Sequence, residues 1–168
     1  SPVKLTLETL QDTARIAEII ASHSRPRDMI LLVGEMGAGK TTFTQSFGRA
    51  LGINEPITSP TFNLLHNYGT GRMSLHHADL YRLERTGELA DLGLDELQDS
   101  GGIVIVEWGD IVGEDLGDAL IIRISYSVDV NAIESRTLEI DLRGSQWASR
   151  WQKLIDELVA KLNNSVRG

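Results

Sequence analysis

Residues 34–42 read Gly34-Glu35-Met36-Gly37-Ala38-Gly39-Lys40-Thr41-Thr42, which fits the pattern G-x-x-x-x-G-K-[ST] of a loop that holds nucleoside triphosphate phosphates. Glycines let the backbone turn sharply and approach an anion closely, because no Cβ blocks it. The turned backbone directs several N–H groups into one concave nest, and the following helix adds its positive end. We predict that residues 36–42 bind the phosphates, that Lys40 reaches the β- and γ-phosphates, and that the Thr41 hydroxyl binds Mg²⁺.

The segments on either side of this loop favour the same interpretation. Residues 29–33 form a continuous apolar run, Met-Ile-Leu-Leu-Val, which is typical of a strand buried on both faces of a sheet. After the loop, apolar residues recur at helical spacing as far as Leu51, and Gly52 indicates the end of the helix. Strand, glycine loop and helix is the order that a phosphate-binding loop needs.

Two carboxylates at the ends of predicted strands are candidates for binding the metal and for orienting a water molecule. Residues 103–106, Ile-Val-Ile-Val, precede Glu107, and an apolar strand that ends in a carboxylate is typical of the strand beside the loop strand in such sites. Asp79 ends another predicted strand, where it can bind Mg²⁺ or position water. We assign catalysis to Lys40, Asp79 and Glu107 and metal binding to Thr41 and Glu107, leaving open which carboxylate contacts the metal directly.

Two further features near the predicted site have alternative interpretations. Residues 53–62 contain two prolines and several hydroxyl side chains, which predicts an extended loop. Its Ser59 and Thr61 are candidates for sensing the γ-phosphate, or for capping turns in an ordinary connector. Trp108, directly after Glu107, either packs in the core or shields the site.

The composition sets outer limits on function. The 168 residues suit a single domain, residues 1–168, and hydrophobic and charged contents of 41% and 24% are ordinary for a soluble globular protein. No apolar run approaches the roughly 20 residues of a membrane span, and no signal peptide is visible. The absence of cysteine excludes disulfides, thiolate metal ligands and a cysteine nucleophile. Together with an ATP-type loop, this composition predicts a cytoplasmic protein.

The net charge of −8 makes the chain a poor electrostatic match for a nucleic-acid backbone. If the protein serves nucleic-acid chemistry, we therefore expect a basic partner to hold the nucleic acid. The alternative interpretation is that the charge only aids solubility.

The remaining segments predict the scaffold of an α/β domain. We expect a strand over 3–7, a helix over 10–22, strands over 61–68 and 72–80 around a turn at 67–71, short helices within 84–98, strands over 119–126 and 136–142, and a helix over 145–162. The strand over 136–142 alternates apolar and polar residues, which indicates an antiparallel pair with one wet face. Trp147 and Trp151 begin the apolar stripe of the last helix, which we expect to pack on the core. The predicted fold is a P-loop NTPase-like three-layer fold, with a mixed, largely parallel central sheet and this antiparallel pair toward the C-terminus.

Four sequence blocks together resemble those of a known family. They are G-E-M-G-A-G-K-T-T at 34–42, S-P-T-F at 59–62, H-A-D-L-Y-R at 77–82 and V-E-W at 106–108. The first block is generic, whereas the four at these spacings are highly specific. They resemble the TsaE family, the ATPase component of the bacterial machinery that makes threonylcarbamoyladenosine in tRNA. The resemblance covers roughly residues 10–142.

The resemblance implies roles that the residues alone do not establish. It implies a domain that binds ATP or ADP with Mg²⁺, with Glu107 as the Walker B carboxylate and residues 59–62 as a switch-like loop. It matches Asp79 and Trp108 to positions important for hydrolysis. It also implies that the nucleotide is contacted by Arg136 and by the stretch from Leu10 to Thr13.

The same resemblance implies biological partners. It implies weak ATPase activity in isolation and a partnership with the proteins TsaD and TsaB, in which ATP hydrolysis resets the synthase between rounds of tRNA modification. Contact with tRNA is then indirect, through the complex, and no membrane is involved.

Two alternative functions share the predicted nucleotide site. A small-molecule kinase needs an acceptor pocket and usually an arginine-bearing lid, and no insertion of that size is visible in the sequence. A nucleotide-gated binding module holds ATP without turning it over in its functional cycle. The absence of an N-K-x-D motif favours ATP over GTP in each case.

Overall fold

The computed structural model describes residues 2–35, 39–58, 65–80, 93–108, 117–127 and 133–167, with the backbone alone for Trp108 and for residues 163–167. The strands of the described residues are β1 Val3–Leu7, β2 Met29–Val33, β3 Leu65–Tyr68, β4 Leu75–Asp79, β5 Ile103–Trp108, β6 Ala119–Tyr126 and β7 Arg136–Arg143. The helices are α1 Leu10–His23, α2 Lys40–Ala50, α3 Leu94–Asp99 and α4 Trp151–Arg167, and a 3₁₀ turn spans Ala148–Arg150.

All these strands form one sheet in the order β1-β7-β6-β2-β5-β4-β3. The pairings β6–β2, β2–β5 and β5–β4 are parallel, and the pairings nearer the edges are antiparallel. Five of the seven strands consequently point the same way, and only β3 and β7 run against them. The mixed α/β sheet, the position of β5 beside β2 and the antiparallel β6–β7 pair are confirmed.

The helices lie in two layers around this sheet. One face packs against α1, α2 and α4, and we call it the three-helix face. The other face buries a smaller apolar cluster with Leu94 of α3. Every residue of β2 is buried, which explains its unbroken apolar run. Burial of each large apolar side chain contributes about 1.5–3 kcal/mol, so the central strands position the site firmly.

The N-terminus of α1 is capped by two side chains. Thr9 Oγ1 accepts a hydrogen bond from the Asp12 backbone N–H at 3.3 Å, and Asp12 Oδ2 accepts one from the Glu8 N–H at 2.9 Å. The first bond satisfies a donor of the first helical turn, and the second holds the residue that precedes the N-cap. The predicted helix over 10–22 is therefore confirmed, with its end one residue later at His23.

Strand β4 begins at Leu75, later than the predicted residue 72, so the turn before it is longer than predicted. Tyr68 pairs with Leu75, so Asn67 and Tyr68 lie in the strand and not in the turn. The residues between the strands are held by the end of α2, since the Arg72 N–H donates to the Leu51 carbonyl oxygen at 2.8 Å. Residues 61–64 and 81–92 lie outside the described residues.

The C-terminal helix begins later than the predicted residue 145. Residues 148–150 form a 3₁₀ turn, and the α-helix starts at Trp151. Asp118 Oδ2 accepts from the Ser145 and Gln146 N–H groups at 3.0 and 3.2 Å, which fixes the chain before the helix. Trp147, Leu154 and Leu158 are fully buried and belong to the apolar cluster on the three-helix face.

Within the described part of the chain, no helix combines the length and the apolar composition needed to cross a lipid bilayer.

Candidate functional site

The described ends of the glycine loop have the geometry that the motif requires. A Cβ on Gly34 would lie 2.2 Å from the Ile124 carbonyl oxygen of β6, so the loop leaves β2 in close backbone contact with the next strand. Gly39 adopts a φ of 110° at the N-cap of α2, and its carbonyl accepts from the Phe43 N–H at 3.0 Å. Both positions favour glycine, for steric and for conformational reasons respectively.

Lys40 lies at the start of α2 with its ammonium directed back across this turn. Its Nζ donates to the Gly34 carbonyl oxygen at 2.6 Å, and the side chain is almost fully buried. Burial lowers the pKa of Lys40 from its ordinary value, while the charges of Glu107 and Asp79 act in the opposite direction. The predicted lysine therefore lies within the electrostatic range of both predicted carboxylates.

Asp79 and Glu107 lie side by side on neighbouring parallel strands. Asp79 of β4 is in register with Glu107 of β5, and Glu107 is in register with Leu32 of β2. Ile103 and Ile105 pack on the three-helix face, and Glu107 shares that face because alternate residues of a strand point to the same side. Both carboxylates therefore project toward the face on which α2 begins, at the carboxyl end of the parallel strands.

A histidine that the sequence did not mark as functional contacts one of these carboxylates. The Nε2 of His77 lies 3.0 Å from Glu107 Oε1, and both side chains are buried. Strand alternation already put His77 and Asp79 on the same face. The contact with Glu107 could not be predicted, because it depends on the pairing of β4 with β5, which neither segment specifies.

The predicted nucleotide contacts Leu10 and Arg136 lie at the same end of the sheet, on the side of β2 away from Asp79 and Glu107. Arg136 begins β7, in register with Leu7 on one side and Tyr126 on the other. Leu10 begins α1 shortly after Leu7, and it is one of the few large apolar residues exposed in the described part of the chain. Thr13, one helical turn after Leu10, is buried.

Arg136 is held by several contacts at this edge. Its Nη1 donates to the carbonyl oxygens of Ile133 and Ser135 at 2.7 and 3.0 Å. The guanidinium lies 4.5 Å from the centre of the Tyr126 ring, within the range of a cation–π contact. Exposed Leu10, Tyr126 and Ile133 together with Arg136 form a mixed apolar and cationic surface, which we call the Tyr126 surface.

The segment that leads to the predicted switch residues is anchored on α2. Gln45 Nε2 donates to the Ile57 carbonyl oxygen at 2.9 Å. Ile57 is buried in a notch at Gly48, where an added Cβ would lie 2.1 Å from its Cδ1. The helix that begins at Lys40 thus contacts the chain just before Ser59 through a hydrogen bond and through close packing.

Several predicted site residues lie outside the described part of the structure. They are Met36, Gly37, Ala38, Ser59, Thr61 and the side chain of Trp108. Their roles stay predictions. Thr41 and Thr42 are described as half-buried residues of the first turn of α2.

The donor set fits a hard divalent cation. Within the described residues there is no group of three or more His, Cys, Asp or Glu side chains that could hold a metal by itself. Mg²⁺ in nucleotide sites is typically bound by one or two protein oxygens together with phosphate oxygens and water. The Thr41 hydroxyl, Glu107 and Asp79 offer that kind of oxygen set.

Two curated relatives are similar over most of this chain, and both carry the name tRNA threonylcarbamoyladenosine biosynthesis protein TsaE. The protein from Bacillus subtilis (strain 168) is 42% identical over 106 residues, which are 63% of this chain and 66% of that protein. The protein from Rickettsia felis is 38% identical over 109 residues, which are 64% of this chain and 63% of that protein. The matches therefore span about two thirds of the length of these relatives.

A solved structure and a family model extend this likeness. The crystal structure of YdiB from Bacillus subtilis superposes with a TM-score of 0.69 and 29% identity, over 96% of each chain. The family model described as threonylcarbamoyl adenosine biosynthesis protein TsaE matches residues 7–138, far more than half of the chain. This chain therefore belongs to the TsaE family.

Proposed function

We propose that the protein binds ATP with Mg²⁺, hydrolyses the ATP, and thereby acts as an accessory subunit in the synthesis of threonylcarbamoyladenosine in tRNA. The observation that carries the proposal is the convergence of Lys40, Asp79 and Glu107 beside a glycine turn at the start of α2. That arrangement matches the parts that phosphoryl transfer to water needs.

Each side chain has a defined task in this mechanism. Lys40 and the N–H groups at the start of α2 stabilise the negative charge of the γ-phosphoryl group as water attacks it. Thr41 and Glu107 hold the metal, which neutralises phosphate charge when it is bound. Asp79, level with Glu107, orients water beside it. Because Glu107 and Lys40 are buried, their charges act in a medium that screens them less than water does.

The Tyr126 surface is our proposed site for the adenine base. It lies at the end of β6, the strand that contacts Gly34 through Ile124. An exposed tyrosine ring and an arginine give a flat base a stacking partner and a cation. Leu10 at the start of α1 closes one side, in line with the predicted nucleotide contacts.

This placement of the base has its own test. Stacking on an aromatic side chain contributes about 1–3 kcal/mol, so Tyr126→Ala should weaken ATP binding roughly 5- to 150-fold. Inorganic triphosphate has no base, so its binding should be unchanged in the same calorimetry. Equal weakening of both ligands would show that Tyr126 does not contact adenine.

The biological context rests on the family. The named relatives belong to tRNA threonylcarbamoyladenosine biosynthesis, which supports a role for this chain in the same modification. We propose TsaD and TsaB as its partners, with hydrolysis resetting their complex through the switch-like loop over 59–62. The net charge of −8 supports indirect contact with tRNA, held by the partners. A cytoplasmic location follows from this proposed role.

The decisive experiment compares ATP binding, phosphate release and tRNA modification in one reconstituted system. Wild type, Glu107→Gln and the control Glu139→Gln are each combined with TsaD, TsaB, tRNA, ATP and Mg²⁺. Glu139 makes a matched control because it lies on β7, on the sheet face opposite α2. We expect Glu107→Gln to bind ATP but to release phosphate on the order of 100-fold more slowly, and modification to stop after the first round.

Three results would contradict the proposed function or part of it. Phosphate release at the wild-type rate in Glu107→Gln would remove the assigned role of Glu107. Many rounds of modification without phosphate release would favour the nucleotide-gated binding module. Transfer of phosphate to a nucleoside or small metabolite much faster than to water would favour the kinase.

A further inference from the structure

The contact between His77 and Glu107 points to a function for this histidine. His77 of β4 is in register with Ile105 of β5, so its imidazole reaches diagonally along the sheet to the next residue on that face, Glu107. The Nε2–Oε1 distance is 3.0 Å, and the two side chains are 1% and 5% exposed. Because the contact is short and both side chains are buried, neither side chain has room to change its orientation easily.

The hydrogen-bonding roles in this pair follow from its chemistry. An ionised carboxylate only accepts, so a hydrogen bond between these atoms requires the tautomer of His77 that carries its proton on Nε2. The other ring nitrogen, Nδ1, is buried and has no partner in the described part of the structure. Among the described residues, Glu107 is accordingly the one polar group that orients the imidazole. The imidazole in turn limits the rotation of the carboxylate.

The neighbouring histidine shows that this contact is not a general feature of the strand. His76 points to the opposite face, where its Nδ1 lies 2.6 Å from Asn67 Oδ1 of β3. His76 thus joins two strands at the periphery of the sheet. His77, by contrast, is bonded to the carboxylate that lies level with Asp79 and acts electrostatically on Lys40.

We propose that His77 is a positioning residue: by donating from Nε2 to Oε1 of Glu107, it fixes the carboxylate plane and leaves Oε2 as the oxygen that serves the nucleotide site. The effect on hydrolysis rests on the proposed function, whereas the restraint on Glu107 does not. Partners that orient the ligands of a metal typically change affinity or activity by about 10- to 100-fold when they are removed.

Three variants separate positioning from packing. His77→Leu fills much of the space but removes the donor, and His77→Gln keeps an N–H donor on a side chain of similar reach. His76→Leu is the matched control, because it removes a buried histidine from the same strand on the opposite face. Circular dichroism and thermal unfolding confirm that each variant folds.

We expect kcat for ATP hydrolysis to fall about 10- to 100-fold in His77→Leu, with KM changed by less than about threefold. His77→Gln should recover most of the loss, and His76→Leu should keep kcat within about twofold of wild type. Calorimetry with ADP should show a smaller Mg²⁺-dependent gain in affinity for His77→Leu alone. Wild-type kcat in folded His77→Leu, or an equal loss in His76→Leu, would overturn the proposal.

Two further measurements do not depend on hydrolysis. Long-range ¹H–¹⁵N correlation spectra of the wild-type protein should show the His77 proton on Nε2, and a ring with no proton on Nε2 would overturn the proposal even if His77→Leu failed to fold. A crystal structure of His77→Leu or His77→Gln should show Glu107 reoriented in the first and retained in the second. Failure of wild type to hydrolyse ATP would instead count against the proposed function.

Discussion

Lys40 Nζ donates a hydrogen bond of 2.6 Å to the carbonyl oxygen of Gly34, so the side chain that opens α2 is tied to the residue that follows β2. The same ammonium experiences the charges of Glu107 and Asp79. The lysine is therefore held by a backbone contact within the electrostatic range of both carboxylates, in the place where the phosphates of a bound nucleotide are proposed to lie.

Removal of this ammonium should abolish tight ATP binding. A charge-assisted hydrogen bond contributes about 1.5–3 kcal/mol, so Lys40→Ala should weaken ATP binding at least roughly tenfold while the protein stays folded. Lys40→Met keeps the buried alkyl stem and isolates the loss of charge. Isothermal titration calorimetry measures both, with Lys153→Ala on the exposed side of α4 as the control. Wild-type affinity in folded Lys40→Met would contradict the assignment.

Gly34 should not tolerate a side chain. The Cβ of Gly34→Ala would lie 2.2 Å from the backbone oxygen of Ile124, and backbone cannot move aside as a flexible side chain does. We expect a loss of about 1–3 kcal/mol in the free energy of unfolding, together with weaker ATP binding. Urea unfolding and calorimetry measure the two effects. Gly69→Ala, where an added Cβ meets nothing within 4 Å, should change stability by less than about 0.5 kcal/mol.

The C-terminal region should depend on one buried ion pair. Arg150 donates from Nη1 and Nη2 to the two carboxylate oxygens of Asp28 at 2.6 and 2.8 Å, and its guanidinium lies 4.0 Å from the Trp147 ring centre. Arg150→Met leaves the Asp28 charge buried and unpaired, which should cost about 3–5 kcal/mol of unfolding free energy. Asp28 precedes β2, at the end opposite the glycine turn, so ATP affinity should be unchanged.

A double-mutant cycle tests whether the pair itself carries this stability. Arg150→Met combined with Asp28→Asn should be less destabilised than the sum of the two single variants, because no uncompensated charge remains. The exposed pair of Arg27 and Asp99 is the contrast, and Arg27→Met should cost less than about 1 kcal/mol. Additive losses in the Arg150 cycle would contradict the ion-pair account.

His76 should make stability depend on pH in mildly acidic solution. Burial lowers the pKa of His76 from its ordinary value of 6.5, so the unfolded chain takes up this proton at a higher pH than the folded protein does. The contribution is fully present above 6.5 and is lost as the pH falls through the lower, folded pKa, by at most about 1.4 kcal/mol per pH unit. Urea unfolding between about pH 7.5 and about pH 5 measures it.

The matching variant is His76→Gln, whose side chain cannot take up a proton in this range. Its unfolding free energy should fall less steeply with decreasing pH than that of wild type. Identical slopes in the two proteins would show that His76 does not titrate differently in the folded and unfolded states.

The elements around the glycine loop were predictable because their signals are local. The bounds of β2 followed from an apolar run over 29–33, since a strand buried on both faces has no polar alternation. The start of α2 at Lys40 followed from the motif. The turn between β3 and β4 was predicted too early and too short, because its length depends on a hydrogen bond from Arg72 to Leu51, a residue of another element.

The candidate site shows the same division. Lys40, Asp79 and Glu107 were each recognisable from the residues that precede them, and the carboxylate after Ile103–Val106 was the clearest of the later signals. Neither segment indicated that Asp79 lies level with Glu107 or that His77 contacts Glu107. Nothing in the β4 segment specifies which strand it pairs with.

The amino-acid sequence by itself determined the order of strand, glycine turn and helix, and with it the prediction of a phosphate-binding loop, because both depend on residues close together in the chain. Only the tertiary structure decided that β4 lies beside β5, that His77 holds Glu107, and that Arg150 locks the C-terminal helix onto Asp28. These contacts join segments that are far apart in the chain, and their pairing is selected by burial and register over the whole sheet rather than by local propensity.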